Sequence, residues 1–444
     1  MITKLLRAAL ATCCLAALFA CGGGGGGAGG AIAGAGAASG TAALTTGSTE
    51  TGGPGATDAS SGGSGSPGGS TSTAAAEGSG DGSGVGSGGT GATADAVGIG
   101  SVDGLGSVFL NGLRYNTDTA QFSVEDAPRI ELGMSAKVTG PVSADFTAGT
   151  ATRVESAAEL RGPVSSIDTA AGTFVVMGTT VSTDPATVWA DGSGLAAVPA
   201  GATVQVWGLP GAPGTLRATR VAQVSSSGAI VTGVVENANP LLRTFTIGTL
   251  TVNYAAATLL PGLDAGALTN GVLVRVRASG TSGTPQLVAA SVQRWYAVPE
   301  AGAVGAQLAG IVTSFVGLQR FQLLGVVIDA SAAQITGGPR ASVGNGVKVE
   351  VAGILSGGVL RATKLKIRHV PGTGGPSSFV LDGTVGAFAS PASFRVRGQP
   401  VDASAPTVVF VNGSAASLGN GVKLSVTGSQ VRDGVLLADR IVFD

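Results

Sequence analysis

The chain has 444 residues, of which 11% are charged, and its formal net charge is −1. A balance this close to neutral excludes the strong electrostatic attraction by which proteins bind nucleic acids or acidic partners. All three cysteines, Cys13, Cys14 and Cys21, lie near the N-terminus. The rest of the chain therefore has no disulfide, cysteine-based metal site or cysteine nucleophile, and the sequence indicates no cofactor.

The N-terminus is typical of an exported protein. Two basic residues precede an apolar stretch over 8–20, which is too short to span a membrane and predicts a signal peptide over 1–20. The segment LFAC, ending at Cys21, resembles the lipobox of bacterial lipoproteins. The resemblance implies lipidation of Cys21, a membrane partner through that anchor and, with Gly22 next, an outer-membrane location. An ordinary secretory signal peptide is the alternative.

The next segment, 21–98, is rich in Gly, Ser, Thr and Ala and contains no Lys or Arg. With almost no large apolar side chains it cannot offset its ordering entropy by burial, so we predict a disordered linker. Such a chain would span about 50 Å on average. Its glycine-rich acidic run EGSGDGSGVGSGG lacks the repeating aspartate of calcium-binding β-helices, which favours the linker over a calcium site.

From residue 99 onward, the sequence predicts copies of one unit. GNGVKVEV at 344 and GNGVKLSV at 419 are nearly identical, and a glycine precedes an alternating strand in each copy: Gly133, Gly201, Gly271, Gly346 and Gly421. A second glycine motif and a phenylalanine recur in the same order. We therefore predict five repeats, the first being the most divergent, over 99–160, 161–228, 229–298, 307–370 and 379–444.

Each repeat is predicted to consist of about five β-strands. In the strand over 347–351, Val347, Val349 and Val351 alternate with Lys348 and Glu350, so one face is buried and the other is wet. A lone sheet of short strands would leave edges and one apolar face exposed, and closing it into a barrel removes both problems. The predicted fold is all-β, a tandem array of five-stranded OB-like barrels of 65–75 residues, with a small sandwich as the alternative.

The motif order resembles the Domain of Unknown Function 5666 family over roughly 99–444. The shared features are a Gly-x-Val start, a later Phe, the glycine before the alternating strand, and a Leu-x-Ala-x-Arg/Lys ending such as LRATR at 216 and LRATK at 360. The third repeat departs from the basic ending. The resemblance implies an exported bacterial lipoprotein with small β domains, and it implies no activity.

Catalytic and metal-binding residues are scarce. His369 is the single histidine, in a segment predicted to be an exposed link, so neither a multi-histidine metal site nor a catalytic triad is indicated. Asp329 and Asp402 occupy matching positions, with Asp184 near the same place. We interpret them as turn residues, with a carboxylate-based hydrolase as a remote alternative. The sequence therefore predicts that the protein is not an enzyme and has no metal site.

A few residues are candidates for binding. Four repeats carry a cation after the conserved alanine, namely Arg153, Arg220, Lys364 and Arg440. These cations would form a row that binds anionic glycans, or they would prevent unwanted pairing at strand edges through their charge. Trp207 falls on the polar side of its strand, where it could stack on a sugar or on a neighbouring repeat.

Together these features predict a non-enzymatic outer-membrane lipoprotein that acts as a structural or spacer protein of the cell envelope. An adhesion module that binds envelope glycans or proteins through several weak sites is the alternative. Neither reading involves nucleic acid.

Overall fold

The computed structural model describes residues 94–225, 228–278, 286–299, 302–375 and 377–444. The predicted signal peptide, Cys21 and nearly all of the predicted linker lie outside these ranges. The described residues fall within a single compact unit. They are built from β-strands and three short 3-10 turns, Leu195–Ala197, Arg340–Ser342 and Ala415–Ser417. None of the helices in these ranges is long and apolar enough to cross a membrane.

The strands fall into five consecutive segments. Segment 1 comprises β1 (Ala94–Leu105), β2 (Val108–Leu110), β3 (Leu113–Asn116), β4 (Gln121–Val124), β5 (Ser135–Val142), β6 (Ala148–Thr150) and β7 (Arg153–Ser156). Segment 2 comprises β8 (Leu160–Asp168), β9 (Thr173–Val176), β10 (Thr179–Ser182), β11 (Val188–Trp189), β12 (Thr203–Pro210) and β13 (Thr215–Gln223).

The other three segments are also built from β-strands. Segment 3 comprises β14 (Ile230–Val234), β15 (Glu236–Asn239), β16 (Thr244–Ile247), β17 (Leu250–Asn253), β18 (Thr258–Leu259), β19 (Leu273–Arg277), β20 (Gln286–Val288) and β21 (Ser291–Arg294). Segment 4 comprises β22 (Ala303–Ile311), β23 (Thr313–Gly317), β24 (Arg320–Leu323), β25 (Val326–Asp329), β26 (Gln334–Thr336), β27 (Lys348–Ser356) and β28 (Val359–His369). Segment 5 comprises β29 (Phe379–Ser390), β30 (Ser393–Val396), β31 (Gln399–Asp402), β32 (Val409–Val411), β33 (Lys423–Arg432) and β34 (Val435–Phe443).

Strand pairing follows one order, seen most simply in segment 5. β29, β30 and β31 form an antiparallel meander, and β31 pairs in parallel with β34. β33 pairs antiparallel with β34 on one side and with β29 on the other, so the hydrogen-bonded ring closes. The same order holds in segments 2 and 4. Segments 1 and 3 also follow it, with some strands split in two.

The repeated glycines have two structural causes. Gly346 and Gly421, which open the alternating strands, have φ of +85° and +87°, a region that residues with a Cβ rarely adopt. Gly353 and Gly428 lie further along the same strands, β27 and β33, at β-bulges. A Cβ on Gly353 would lie 2.0 Å from the carbonyl oxygen of Arg361, so only glycine allows the two backbones of this hairpin to approach so closely.

The first strand begins earlier than expected. Composition predicts a linker over 94–98, but these residues form the start of β1, and Val97 is buried. They are ordered because β5 pairs with one edge of β1 and β22 pairs with the other. The fourth segment likewise begins at Ala303 rather than at residue 307.

The segments are joined by shared sheets and shared cores, as in a stack. β1 pairs in parallel with β22 of segment 4 and with β29 of segment 5, and β8 pairs with β14 of segment 3. One apolar core contains side chains of segments 1 and 5, and a second contains side chains of segments 2 and 3. The third core belongs mainly to segment 4 but includes Ile99, Trp295 and Tyr296. Segment 1 therefore lies beside segments 4 and 5, which are distant from it in the chain, whereas segments 2 and 3 are neighbours in both.

Candidate functional site

A fully buried carboxylate lies where segments 1, 2 and 3 meet. Glu159 occupies the link between β7 and β8 and has no exposed surface. Its Oε1 accepts hydrogen bonds from Trp295 Nε1 at 2.9 Å and from Arg275 Nη2 at 3.0 Å. Its Oε2 accepts a bond from the backbone N–H of Gly208 at 2.7 Å, and the Ser135 hydroxyl donates to the same carboxylate. One side chain thus ties together three segments.

Arg275 and Tyr296 complete this cluster. The guanidinium of Arg275 lies 5.1 Å from the centre of the Tyr296 ring, a cation–π distance. The Tyr296 hydroxyl donates to the carbonyl of Ser135 at 3.2 Å and accepts from the N–H of Ala157 at 3.0 Å. Burial raises the pKa of Glu159, and the charge of Arg275 with the hydrogen bond from Trp295 opposes that rise. These buried contacts join the three segments at this junction.

A second ionic cluster lies at the same junction around Asp126. Its carboxylate contacts Arg161 at 2.6 Å and receives a two-pronged contact from Arg277, at 2.9 and 2.7 Å. Gln205 accepts from Arg161 Nε at 2.7 Å and donates to the carbonyl of Asp126 at 2.9 Å. Burial raises the pKa of Asp126, but the contacts with Arg277 and Arg161 prevail and hold it below its usual value.

A small cavity is lined by segments 1, 2, 4 and 5. It has a volume of about 40 Å³, and its wall includes the titratable side chains of Asp103, Asp184, Lys348, Glu350, Arg368 and His369. Arg368 Nε contacts Glu350 Oε1 at 2.6 Å. Asp103 accepts a hydrogen bond from the Ser101 hydroxyl at 2.9 Å. The volume suits one or two water molecules or a small ion, and it is far below that of a sugar site.

The two acids of this cavity influence each other. Burial raises the pKa of Asp103 against the pull of Arg368 and Lys348. Burial also raises the pKa of Glu350, which Arg368 lowers and the neighbouring Asp103 raises further. Burial lowers the pKa of His369. A carboxylate pair with raised pKa values can hold a proton. The cavity of about 40 Å³ is too small to admit an organic substrate beside the pair.

Two of the sequence-predicted binding residues are buried. Trp207 is 2% exposed and packs with Met134, Ala158 and Ile230 across the junction of segments 1, 2 and 3. The guanidinium of Arg220 lies 5.9 Å from its ring centre and contacts the Glu131 carboxylate of segment 1. Trp207 therefore packs on neighbouring segments, which is the second of the two placements expected for it, and its burial argues against the sugar-stacking placement. Arg220 is corrected from a surface candidate to an inter-segment contact. Alternation alone places Trp207 on the wet face, whereas the neighbouring segment covers that face.

The other three predicted cations lie apart from one another. Arg153 Nε pairs with Glu155 at 2.9 Å beside a groove of about 410 Å³ lined by segments 1 and 3. The ammonium of Lys364 donates to the carbonyl of Asp145 in segment 1. Arg440 is exposed on β34. These environments differ from repeat to repeat, so a repeated cation does not imply a repeated site.

The aspartates behave as the turn interpretation expects. Asp329 accepts from the Ser331 N–H at 3.0 Å, and Asp402 accepts from the Ser404 N–H at 2.8 Å. Asp184 also accepts locally, from Ala186, but in addition it pairs with Arg217 at 3.4 Å and lines the small cavity. His369 is the last residue of β28 and is half-buried in the wall of that cavity, which corrects its expected place in an exposed link.

Sequence reasoning missed Glu159, Arg275, Asp103 and Glu350. Glu159 and Arg275 are 116 positions apart, so no local spacing joins them. One available signal was Glu159 itself, an acid in the otherwise small and apolar link AAEL. Trp295 and Tyr296 follow the last strand of segment 3 and lie at its interface with segment 1, where they contact Glu159 and Ser135. Across the residues that the structure describes, no three His, Cys, Asp or Glu side chains gather in a group that could hold a metal ion.

Comparison with known proteins identifies the repeats. The model of a family described as a domain of unknown function, DUF5666, matches residues 161–222, 232–293, 309–366 and 382–442. No curated protein matches the chain. The matched ranges correspond to segments 2 to 5, so the family repeats number four rather than the five expected. Segment 1 keeps the order of strand pairs, but its last strand is split into β6 and β7 and its motifs diverge. With four tandem matches over more than half of its length, the chain belongs to the DUF5666 family.

Proposed function

We propose that the protein is a lipid-anchored structural protein of the bacterial cell envelope, with a rigid β body carried at the end of a linker. The observation that carries this proposal is the Glu159 junction. Its buried polar contacts, with the Asp126 cluster beside them, join the segments to each other. A protein that uses separate repeats to collect weak ligands would gain from flexible links, whereas a spacer gains from fixed ones.

Each repeat is proposed to be an OB-like barrel. The supporting observation is the ring order, in which a three-strand meander is closed by two further strands and the third strand runs parallel to the last. This is the strand order of a five-stranded Greek-key barrel. The DUF5666 description assigns no activity, and fold by itself does not choose a function.

The anchor is tested by substituting the cysteine. We expect Cys21→Ser to abolish incorporation of labelled palmitate and to move most of the protein from the membrane fraction to the soluble fraction. Cys14→Ser is the matched control, because that cysteine would leave with the signal peptide. Palmitate labelling of Cys21→Ser at the level of the unsubstituted chain would contradict the anchor.

An adhesion role is the second candidate, and one groove favours it. This groove, of about 410 Å³, is lined by Lys137, Arg153, Glu155 and Tyr296 among others. Its size and mixed charge suit a short stretch of polar glycan. We expect any saturable glycan binding to weaken in Arg153→Ala and to persist in Arg440→Ala, as measured on a glycan array. Equal loss in both variants would argue against this groove.

A further inference from the structure

One β-turn of segment 3 presents two leucines to solvent. The hairpin of β15 and β16 pairs Asn239 with Thr244, and the turn between them is Pro240, Leu241, Leu242 and Arg243. Leu241 is 94% exposed and Leu242 is 68% exposed. We call residues 240–243 the leucine tip. Two adjacent large apolar side chains with this exposure are costly to leave in water.

The turn does not need leucine for its shape. The Asn239 side chain accepts hydrogen bonds from the backbone N–H groups of Leu241 and Leu242, at 3.1 and 3.0 Å, and this fixes the turn. Segments 2 and 5 build the corresponding hairpin with small residues, Ala170-Ala171 and Ser390-Pro391, each pair also beginning four residues before the buried phenylalanine. The shape of this turn therefore does not depend on the leucine side chains.

The charge next to the leucines indicates the partner. Arg243 is exposed directly after Leu242, and its Nη1 donates to the carbonyl of Ala255 at 3.3 Å, which holds the guanidinium at the base of the tip. In segment 4, the same hairpin carries Val316, which is 73% exposed, four positions before the exposed Arg320. Apolar side chains at the end and a cation at the base match the acyl and phosphate layers of a lipid surface.

The size of the tip argues against a protein partner. A stable protein interface buries about 800 Å² on each side and needs a shape-matched core. Two leucines on a convex turn flanked by Asn239 and Thr244 cannot supply that area, whereas they can enter a fluid apolar layer without a matching pocket. We propose that the leucine tip inserts into a phospholipid surface, so that the β body touches the membrane to which the proposed Cys21 lipid tethers it.

The first test uses the full chain with Cys21→Ser and vesicles of phosphatidylethanolamine and phosphatidylglycerol. We expect Leu241→Ser/Leu242→Ser to weaken co-sedimentation at least about 10-fold, because two leucines lose their acyl contact. Val288→Ser is the matched control, since Val288 is 59% exposed in the same segment but lies outside the tip. Unchanged binding of the double variant, or an equal loss in Val288→Ser, would overturn the proposal.

The second test reads the tip locally and does not depend on the anchor. An environment-sensitive fluorophore is placed at Leu241→Cys, or at Ala170→Cys in the corresponding turn of segment 2, with the native cysteines changed to serine. We expect a blue shift with vesicles at position 241 and none at position 170. Equal shifts at both positions would overturn the proposal. A shift at position 241 that appears without vesicles as the protein concentration rises would also overturn it, because it would indicate that a second copy of the chain is the partner. Failure of palmitate labelling would refute the anchor and leave this test standing.

Discussion

At the residue scale, the molecule depends on a small number of buried charges. Glu159 receives hydrogen bonds from a serine, a tryptophan, an arginine and a backbone N–H, which come from three different segments. A buried ion pair adds little net stability compared with an apolar replacement, but removing one partner leaves the other charge unpaired and dry. The junction is therefore sensitive to single substitutions although it contributes modestly as a whole.

We expect Glu159→Gln to lower the free energy of unfolding by about 3–5 kcal/mol, because Arg275 then remains buried without a counter-charge. Denaturant titration followed by circular dichroism measures this. Glu155→Gln is the control, since Glu155 lies in half-exposed ion pairs with Lys137 and Arg153 and should cost about 1 kcal/mol or less. A similar loss of unfolding free energy in both variants would show that the junction contributes no more to stability than an exposed ion pair does.

Asp126 makes stability depend on pH at the acid end. Its folded-state pKa lies below the ordinary 3.8, so the ionised form stabilises the fold above that pH, and the contribution disappears as pH falls through the folded value. We expect the unfolding midpoint to drop as the pH falls below about 4, and Asp126→Asn to flatten that part of the curve. The control is Asp439→Asn at an exposed position. An unaltered acid slope in Asp126→Asn would contradict the assignment.

At the element scale, the last hairpin of every segment except the third, which has Ala278 at this position, contains a glycine where the two strands come close together. Gly353 and Gly428 interrupt β27 and β33 at bulges, where a side chain would collide with the facing backbone. A bulge tightens the twist and lets a short sheet bend enough to close. The recurrence of this glycine seven residues after the strand-opening glycine reflects that geometry.

We expect Gly353→Ala to destabilise the protein by about 1–3 kcal/mol, since Cβ would meet the carbonyl oxygen of Arg361. Gly386→Ala is the matched control, because a Cβ there meets nothing within 4 Å and the residue also lies in a strand. Thermal unfolding compares the two. A Gly353→Ala protein as stable as Gly386→Ala would show that the hairpin adjusts without strain.

At the scale of the whole molecule, the segments share their cores. Segments 1 and 5 enclose one apolar cluster, and segments 2 and 3 enclose another. Further contacts cross between these pairs, such as the backbone N–H of Gly434 donating to the carbonyl of Trp189 at 2.9 Å. Shared cores make each segment part of its neighbour's stability, in contrast to repeats that contact only their neighbours in sequence.

We expect the β body to unfold in one transition. The three tryptophans lie in segments 2 and 3, so their fluorescence reports those segments, whereas far-ultraviolet circular dichroism reports all five. Coincident midpoints in denaturant are the expected result. Separate midpoints would show that the segments behave as independent domains despite their shared sheets.

Local patterns were sufficient to predict the repeat. The alternation over Val347–Val351 and the glycine at 346 indicated an all-β chain with short strands, because both signals come from residues close in sequence. The contacts between segments could not be predicted in this way. Trp207 looks exposed when its strand is considered alone, and it is buried by Met134 and Ile230 from other segments. Asp103 and Glu350 influence each other only because segment 1 stacks on segment 4.

The parallel pairing of β1 with β22 has a consequence for the order in which the chain can fold. Ala96 to Ile99 form their second ladder with Gly305 to Leu308, about two hundred residues further along. A nascent chain that has completed its first three segments still presents a bare strand edge, open to pairing with another chain. The pairing of β1 is complete only when the fourth and fifth segments have been made, so we expect folding to be slow. We also expect truncation after residue 299 to promote aggregation. The newest part of the polypeptide therefore protects the oldest.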